Sequence, residues 1–108
     1  MNKIILSAAV FALVGAVSSV QAADAKAGEK VFESNCTACH ANGGNVMKPE
    51  KSLKKEALDK SKMNTAAAIA TQVTKGGNGM PGFEGQLNAK DIENVSAYVA
   101  EQAKKDWK

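Results

Sequence analysis

One pentapeptide limits what this chain can become: Cys36-Thr37-Ala38-Cys39-His40. Two thiols three residues apart, followed at once by an imidazole, form the C-x-x-C-H signature of covalent c-type haem attachment. The spacing lets both sulfurs add to the two vinyl groups of one porphyrin and sets the imidazole against the iron. His40 is the only histidine of the 108 residues, so no second imidazole competes for that role. Other uses of two cysteines fit less well. A disulfide across so short a spacing constrains little chain. Structural zinc takes four Cys or His ligands, and this chain offers three. A thioredoxin-like pair expects a preceding strand, whereas Ala25 to Asn35 reads as helix.

The chain opens like a secretory precursor. Met1-Asn2-Lys3 is a short basic start, Ile4 to Val17 is almost wholly apolar, and Ser18 to Ala22 is rich in small residues. Val20 and Ala22 meet the small-residue rule for cleavage, so residues 1–22 are expected to be a signal peptide cut after Ala22. The apolar run falls short of the roughly 20 residues that span a bilayer. Residues 23–108 then form one small domain, short of core material. A domain of this size often relies on a staple such as a metal or a disulfide, and a covalent porphyrin would serve as staple and core filler together. With only 5% aromatic residues, the chain encodes little bulky apolar material of its own.

All 14 basic residues are lysine and none is arginine, against 11 acidic residues. The balance is weakly basic; most of these lysines read as ordinary solvated surface charge, with steering toward an acidic partner as the other reading. It is no footprint of a nucleic-acid binder, which relies on arginine for phosphate and base contacts.

The spacing of apolar residues predicts an all-α domain of about four helices. Asp24 caps the first, which runs to about Asn35. Gly28, Phe32 and Cys36 repeat every four residues and share a face. Ala41 to Ser52 is irregular and rich in turn formers. Leu53 to Asp59 is a short helix. Asn64 is read as the cap of a helix over Thr65 to Lys75, which carries an Ala66, Ile69, Ala70, Val73 stripe and ends at Gly76. Asn88 caps the last helix, with Asp91 three residues on and a stripe of Ile92, Val95 and Val99 flanked by Tyr98.

Haem iron held by His40 has a second axial position. Met80 is the candidate, because Gly76-Gly77-Asn78-Gly79-Met80-Pro81-Gly82-Phe83 is a shaped loop able to turn one sulfur inward. Met47 lies too near His40 in sequence to cross to the other face, and Met63 is expected to pack or be exposed. A thioether ligand favours ferrous iron and raises the potential. With both positions filled there is no open site for substrate, so the chain is expected to be an electron carrier and not an enzyme. A small peroxidase with a labile sixth ligand is the competing enzymatic reading. The other ring nitrogen of His40 needs an acceptor, and the carbonyl of Pro49, in the loop after the motif, is the expected one. Gln72, one turn from Ile69, faces either the haem or solvent on helical geometry alone.

Several stretches now carry a family resemblance: Gly28-x-x-Val31-Phe32-x-x-Asn35-Cys36-x-x-Cys39-His40, Gly44-Asn45-Val46 and Lys51-Ser52-Leu53. They continue with Ala68-Ile69-x-x-Gln72-Val73-Thr74-x-Gly76, Met80-Pro81-x-Phe83, Ala97-Tyr98-Val99 and Trp107. Together they resemble cytochrome c6, a class I c-type cytochrome of cyanobacteria and algal plastids, over essentially all of residues 23–108. The resemblance implies the class I fold, with first and last helices crossing near Gly28, Phe32 and Tyr98. It implies one haem c attached through Cys36 and Cys39, with His40 and Met80 as iron ligands. It assigns the Pro49 carbonyl to His40 and places Gln72 near the haem, supporting a high potential. It further implies a carrier in the thylakoid lumen, taking electrons from cytochrome f of the cytochrome b6f complex and passing them to photosystem I; a carrier this small needs no oligomer and is expected to be a monomer.

One departure touches the acceptor. The family usually has an arginine after the methionine loop, associated with docking on photosystem I. Here the segment is Glu84-Gly85-Gln86-Leu87, and no lysine reproduces the planar fork of that arginine. The alternative is a paralogue, or a periplasmic class I cytochrome, that donates to a terminal cytochrome oxidase or another acceptor. An exposed haem edge is expected near Ala38, Gly82 and Gln86.

Overall fold

The carboxylate of Asp24 accepts hydrogen bonds from the backbone N–H of Lys26 (3.0 Å) and of Ala27 (3.2 Å), pairing donors that the first helical turn leaves free. Helix α1, Ala25–Asn35, starts there. The computed structural model describes residues 23–108, and the leader assigned to residues 1–22 lies outside them. Four further α-helices follow among the described residues: α2 Thr37–His40, α3 Lys55–Lys60, α4 Ala66–Lys75 and α5 Ala89–Lys104. Two short 3₁₀ turns, Ala41–Gly43 and Pro49–Lys51, interrupt the segment read as irregular. There is no strand among the described residues, so the all-α expectation holds. The count exceeds four because the haem-attachment motif itself forms one helical turn.

Helices α1 and α5 form the main packed pair, and α4 lies against α5. Gly28 makes the crossing possible. A Cβ there would drive into the main-chain carbonyl of Asn94 and come within 2.9 Å of the Val95 nitrogen. Asn94 is itself buried, and its side-chain carbonyl accepts the Asp24 N–H at 2.8 Å. The start of the domain is thereby tied to its last helix. Phe32, Ile69, Val73, Ile92, Val95 and Val99 fill the core between these helices, each contributing about 1.5–3 kcal/mol by leaving water. Phe32 also anchors an aromatic trio, with ring centroids 5.4 Å from Tyr98 and 5.2 Å from Trp107, while Tyr98 meets Trp107 edge-on at 5.8 Å. Such tilted contacts suit the ring quadrupoles.

The cap of α4 differs from the sequence reading. Thr65 holds the extended cap conformation and its hydroxyl accepts the Ala68 N–H at 3.1 Å. Asn64 instead donates its side-chain amide to Asp59 at the end of α3. Both residues are good caps, and the partner on α3 decides between them. The short third helix likewise begins at Lys55 rather than Leu53, because the backbone of Leu53 is occupied in long-range bonds described below. At α5 the Asn88 side chain accepts from Asp91 N–H at 2.7 Å, as its sequence leads one to expect.

Candidate haem site

The helical turn of α2 presents three reactive side chains at once. Cys36, Cys39 and His40 are each half-buried, and neither cysteine is in a disulfide. Burial pushes the Cys36 thiol up to about 11, so it is held as a neutral thiol in apolar surroundings. Beside the turn lie two adjoining cavities of about 340 and 170 Å³, and Cys36, His40 and Met80 line both. The larger of the two is of the scale of ligand sites.

The chain reverses directly after His40. Asn42 and Gly43 both take positive φ, 56° and 80°, and this turn carries the carbonyl of Gly44 back to the imidazole. Nδ1 of His40 lies 2.8 Å from that oxygen. A carbonyl can only accept, so the proton resides on Nδ1 and the lone pair of Nε2 is left for a metal. This corrects the expectation for Pro49. That residue begins an exposed 3₁₀ turn, and the tight turn at 42–43 delivers a nearer carbonyl before the chain reaches it.

On the other side, α4 ends at Gly76 and the chain runs through positive φ at Gly76, Gly77, Asn78 and Gly79. A two-way backbone pairing, Gly77 N–H to Met80 O at 2.8 Å and Met80 N–H to Gly77 O at 3.0 Å, closes the loop. Gln72 lies half-buried on the wall of the larger cavity. Its amide Nε2 is 3.8 Å from the Met80 sulfur and 3.4 Å from the Gly77 carbonyl. The open choice for Gln72 is thus settled toward the cavity.

These residues fit an iron porphyrin: two free thiols, an imidazole with its metal-binding nitrogen available, and a thioether, all on one apolar-walled space. The remaining methionines separate from Met80. Met63 packs against the core and lines the larger cavity, while Met47 is 69% exposed at the rim of the smaller one. Of the expected edge residues, Ala38 is exposed and lines the smaller cavity. Gly82, Glu84 and Gln86 are exposed but stand outside both linings. Sequence reasoning missed Gly44, whose carbonyl carries no side-chain signature. It also missed Lys48 and Lys51 as cavity-lining residues. Their only signal was the Asn45-centred turn, in which the Asn45 side chain accepts from the N–H of Met47 and of Lys48 and donates to the Lys51 carbonyl.

Comparison with known proteins agrees with this geometry. Residues 23–99 match the family described as cytochrome C oxidase, cbb3-type, subunit III. Cytochrome c6 of Bumilleriopsis filiformis is 52% identical over 85 residues, covering 79% of this chain and 99% of that protein. Cytochrome c6 of a Synechococcus strain is 55% identical over 86 residues, covering 80% and 77% of the two chains. The solved cytochrome c6 of the diatom Phaeodactylum tricornutum superposes with a TM-score of 0.76 at 50% identity, covering 78% of this chain and 99% of its own. A solved Synechococcus cytochrome c6C follows with a TM-score of 0.74 at 40% identity, covering 75% and 99%. A shared fold and about half of the aligned residues held in common over some four-fifths of the chain lead to one conclusion: the chain belongs to the cytochrome c6 family.

Proposed function

We propose that this protein shuttles single electrons from cytochrome f of the cytochrome b6f complex to photosystem I, as a monomer in the thylakoid lumen or the periplasmic space. Membership of the family makes it a c-type cytochrome electron carrier and implies a covalent haem c with iron. The observation that carries the reading is the convergence of Cys36, His40 and Met80 on one cavity with His40 Nε2 left free. Haem c supplies the one-electron couple. Cys36 and Cys39 would hold it through thioethers, and His40 and Met80 would take the two axial positions.

The chain's own groups account for the expected potential. The Gly44 carbonyl fixes the imidazole in one tautomer. The Met80 sulfur stands next to the Gln72 amide, a polar donor beside a soft ligand that favours ferrous iron. With His40 and Met80 presented from hydrogen-bonded turns, a haem held between them would leave little to move when its charge changes, which suits transfer and not substrate chemistry. Among the described residues no helix is long and apolar enough to cross a membrane.

The test is the midpoint potential of the holoprotein, followed by flash-induced oxidation with photosystem I particles. A strongly positive potential and rapid oxidation support the proposal, whereas a potential near zero removes the protein from this step. A second reading rests on the exposed Glu84 and Gln86, which put an acidic and a neutral group where the family usually has an arginine. It is transfer to a terminal cytochrome oxidase, supported by slow oxidation with photosystem I and fast oxidation with oxidase membranes.

A further inference from the structure

The last residues of the chain close onto the segment that follows His40. Trp107 donates its indole N–H to the carbonyl of Leu53 at 3.0 Å, across 54 positions of sequence. The N–H of Leu53 donates to the carbonyl of Gly43 at 2.7 Å. Gly43 lies directly beneath the indole: at φ +80°, a Cβ there would sit 2.6 Å from three ring atoms. The next carbonyl, of Gly44, is the acceptor of His40 Nδ1–H. Asp106 and Trp107 both hold left-handed backbone, at φ 55° and 63°, a conformation that non-glycine residues take at a cost. That cost is met where the ring seats against Phe32, Tyr98 and Gly43.

We infer that Trp107 is a positioning residue for His40: its indole N–H and ring, acting through Leu53 and Gly43, hold the Gly44 carbonyl against the imidazole. The inference rests on the reading of His40 as an iron ligand. Its consequence follows from the general role of such acceptors, which orient a ligating imidazole and raise its basicity. A looser Gly44 carbonyl weakens the Nδ1–H bond, makes Nε2 a poorer donor to ferric iron and so raises the potential.

Trp107 is the only tryptophan in the sequence, so its donor can be removed without altering the ring outline. Biosynthetic replacement by benzothienylalanine exchanges the N–H for sulfur, and Trp107→Phe provides an encoded counterpart. Asp106→Ala serves as control, since the Asp106 carboxylate accepts from the Lys55 N–H (3.4 Å) and does not lead to Gly43, while the backbone bond from the Asp106 N–H to the Ala103 carbonyl is kept. The readouts are the solvent-exchange rate of the His40 Nδ1 proton by NMR and the midpoint potential of the holoprotein. Expected is exchange roughly tenfold faster, the factor that accompanies loss of one ordinary hydrogen bond, with an upward shift in potential for both Trp107 replacements and neither change for Asp106→Ala. Unchanged exchange in the benzothienyl protein overturns the inference while leaving the iron ligation intact. Equal acceleration in Asp106→Ala overturns it too, by showing general loosening of the tail. A fully oxidised, ferric parent protein whose His40 signals lack paramagnetic shifts overturns the ligation reading and the inference with it.

Discussion

The loop that carries Met80 and the segment that follows His40 both border the cavities and are both rich in glycine, yet they are held in different ways. The Met80 loop is fastened to itself and to its neighbours in sequence. Gly76 N–H bonds the Gln72 carbonyl at 2.7 Å, Gly77 and Met80 pair with each other, and Phe83 N–H returns to the Val73 carbonyl at 2.8 Å. Every bond spans ten residues or fewer. The segment after His40 is tied by the Leu53 N–H to the Gly43 carbonyl, itself a ten-residue span, and through the Leu53 carbonyl to the Trp107 indole, 54 positions away at the other end of the chain. A loop closed by local bonds keeps its shape as long as its own residues allow the backbone angles. A loop braced from the C-terminus keeps its shape only in the complete tertiary structure. The difference teaches that the Met80 side is written in a short stretch of sequence, while the His40 side is assembled by folding.

The strongest way to break the Met80 side is to remove the sulfur. Met80→Ala is expected to lower the midpoint potential by on the order of a few tenths of a volt, within the roughly 0.8 V that axial ligands command. It should also open the iron to rapid carbon monoxide binding. Redox titration and stopped-flow absorbance read both effects, and a Met80→Ala protein with parent potential and no binding would dismiss Met80 as the ligand.

Next in size is the backbone of the same loop. At Gly76, φ is +72° and a Cβ would stand 2.5 Å from the Gly82 nitrogen and 2.6 Å from the Met80 carbonyl. Gly76→Ala is therefore expected to cost about 3 kcal/mol or more, from left-handed strain together with collision. At Gly77 the φ of +128° is equally unsuited to a side chain, but no atom lies within 4 Å, so Gly77→Ala carries the strain alone, about 1–3 kcal/mol. Chemical denaturation of the two variants separates collision from strain, and equal losses would show that the local closure of this loop matters less than its geometry suggests.

A smaller effect sharpens the comparison at the helix that carries Gln72. Thr65→Ala removes the hydroxyl that caps α4 and should cost about 1 kcal/mol, measured by the same denaturation. Asn64→Ala should cost nothing at the cap itself, which would confirm the assignment of the cap to Thr65.

The least of these effects depends on pH. Hydrogen bonds from Asn64 and then Lys55 hold the Asp59 carboxyl below its ordinary value of 3.8. A folded-state pKa below the unfolded one gives stability that is present above the unfolded pKa and lost as pH falls through the folded one. Asn64→Ala should therefore remove a small part of the stability present at neutral pH, where Asp59 is ionised, and progressively less as pH falls below about 4, which flattens the acid limb. The effect is small because the Asp59 carboxyl faces solvent. Thermal melts across that range provide the check, and an unaltered acid limb would assign the shift elsewhere.

Much of this architecture was legible along the chain. Asp24 and Asn88 announced their helices, the four-residue repeat of Gly28, Phe32 and Cys36 announced the buried face of α1, and the glycine cluster around Met80 announced a loop. Each of these is a matter of backbone preference or periodicity within a few residues. The assignment of Pro49 failed for a definite reason. Which carbonyl meets the His40 ring depends on where the backbone turns, and a turn at Asn42 and Gly43 brings Gly44 back four residues after the imidazole. Carbonyls are present at every residue and carry no side-chain mark. The reading of Asn64 as the cap failed likewise: both residues are good caps, and only α3, by supplying Asp59 as a partner for Asn64, leaves the role to Thr65.

By itself, then, the sequence determined the chemistry on offer at the cavity: two thiols and an imidazole at fixed spacing, a thioether in a glycine-rich loop, and helices with one apolar face each. Covalent spacing and backbone preference are local and survive in any reading of the chain. Only the tertiary structure decided that the Gly44 carbonyl orients His40, that Trp107 braces that loop through Leu53, and that Asn94 holds Asp24 across 70 positions. The last two contacts join residues far apart in sequence and exist only once burial of the core has met the entropy of bringing the segments together, while the Gly44 contact spans four residues and depends on the backbone turn at Asn42 and Gly43.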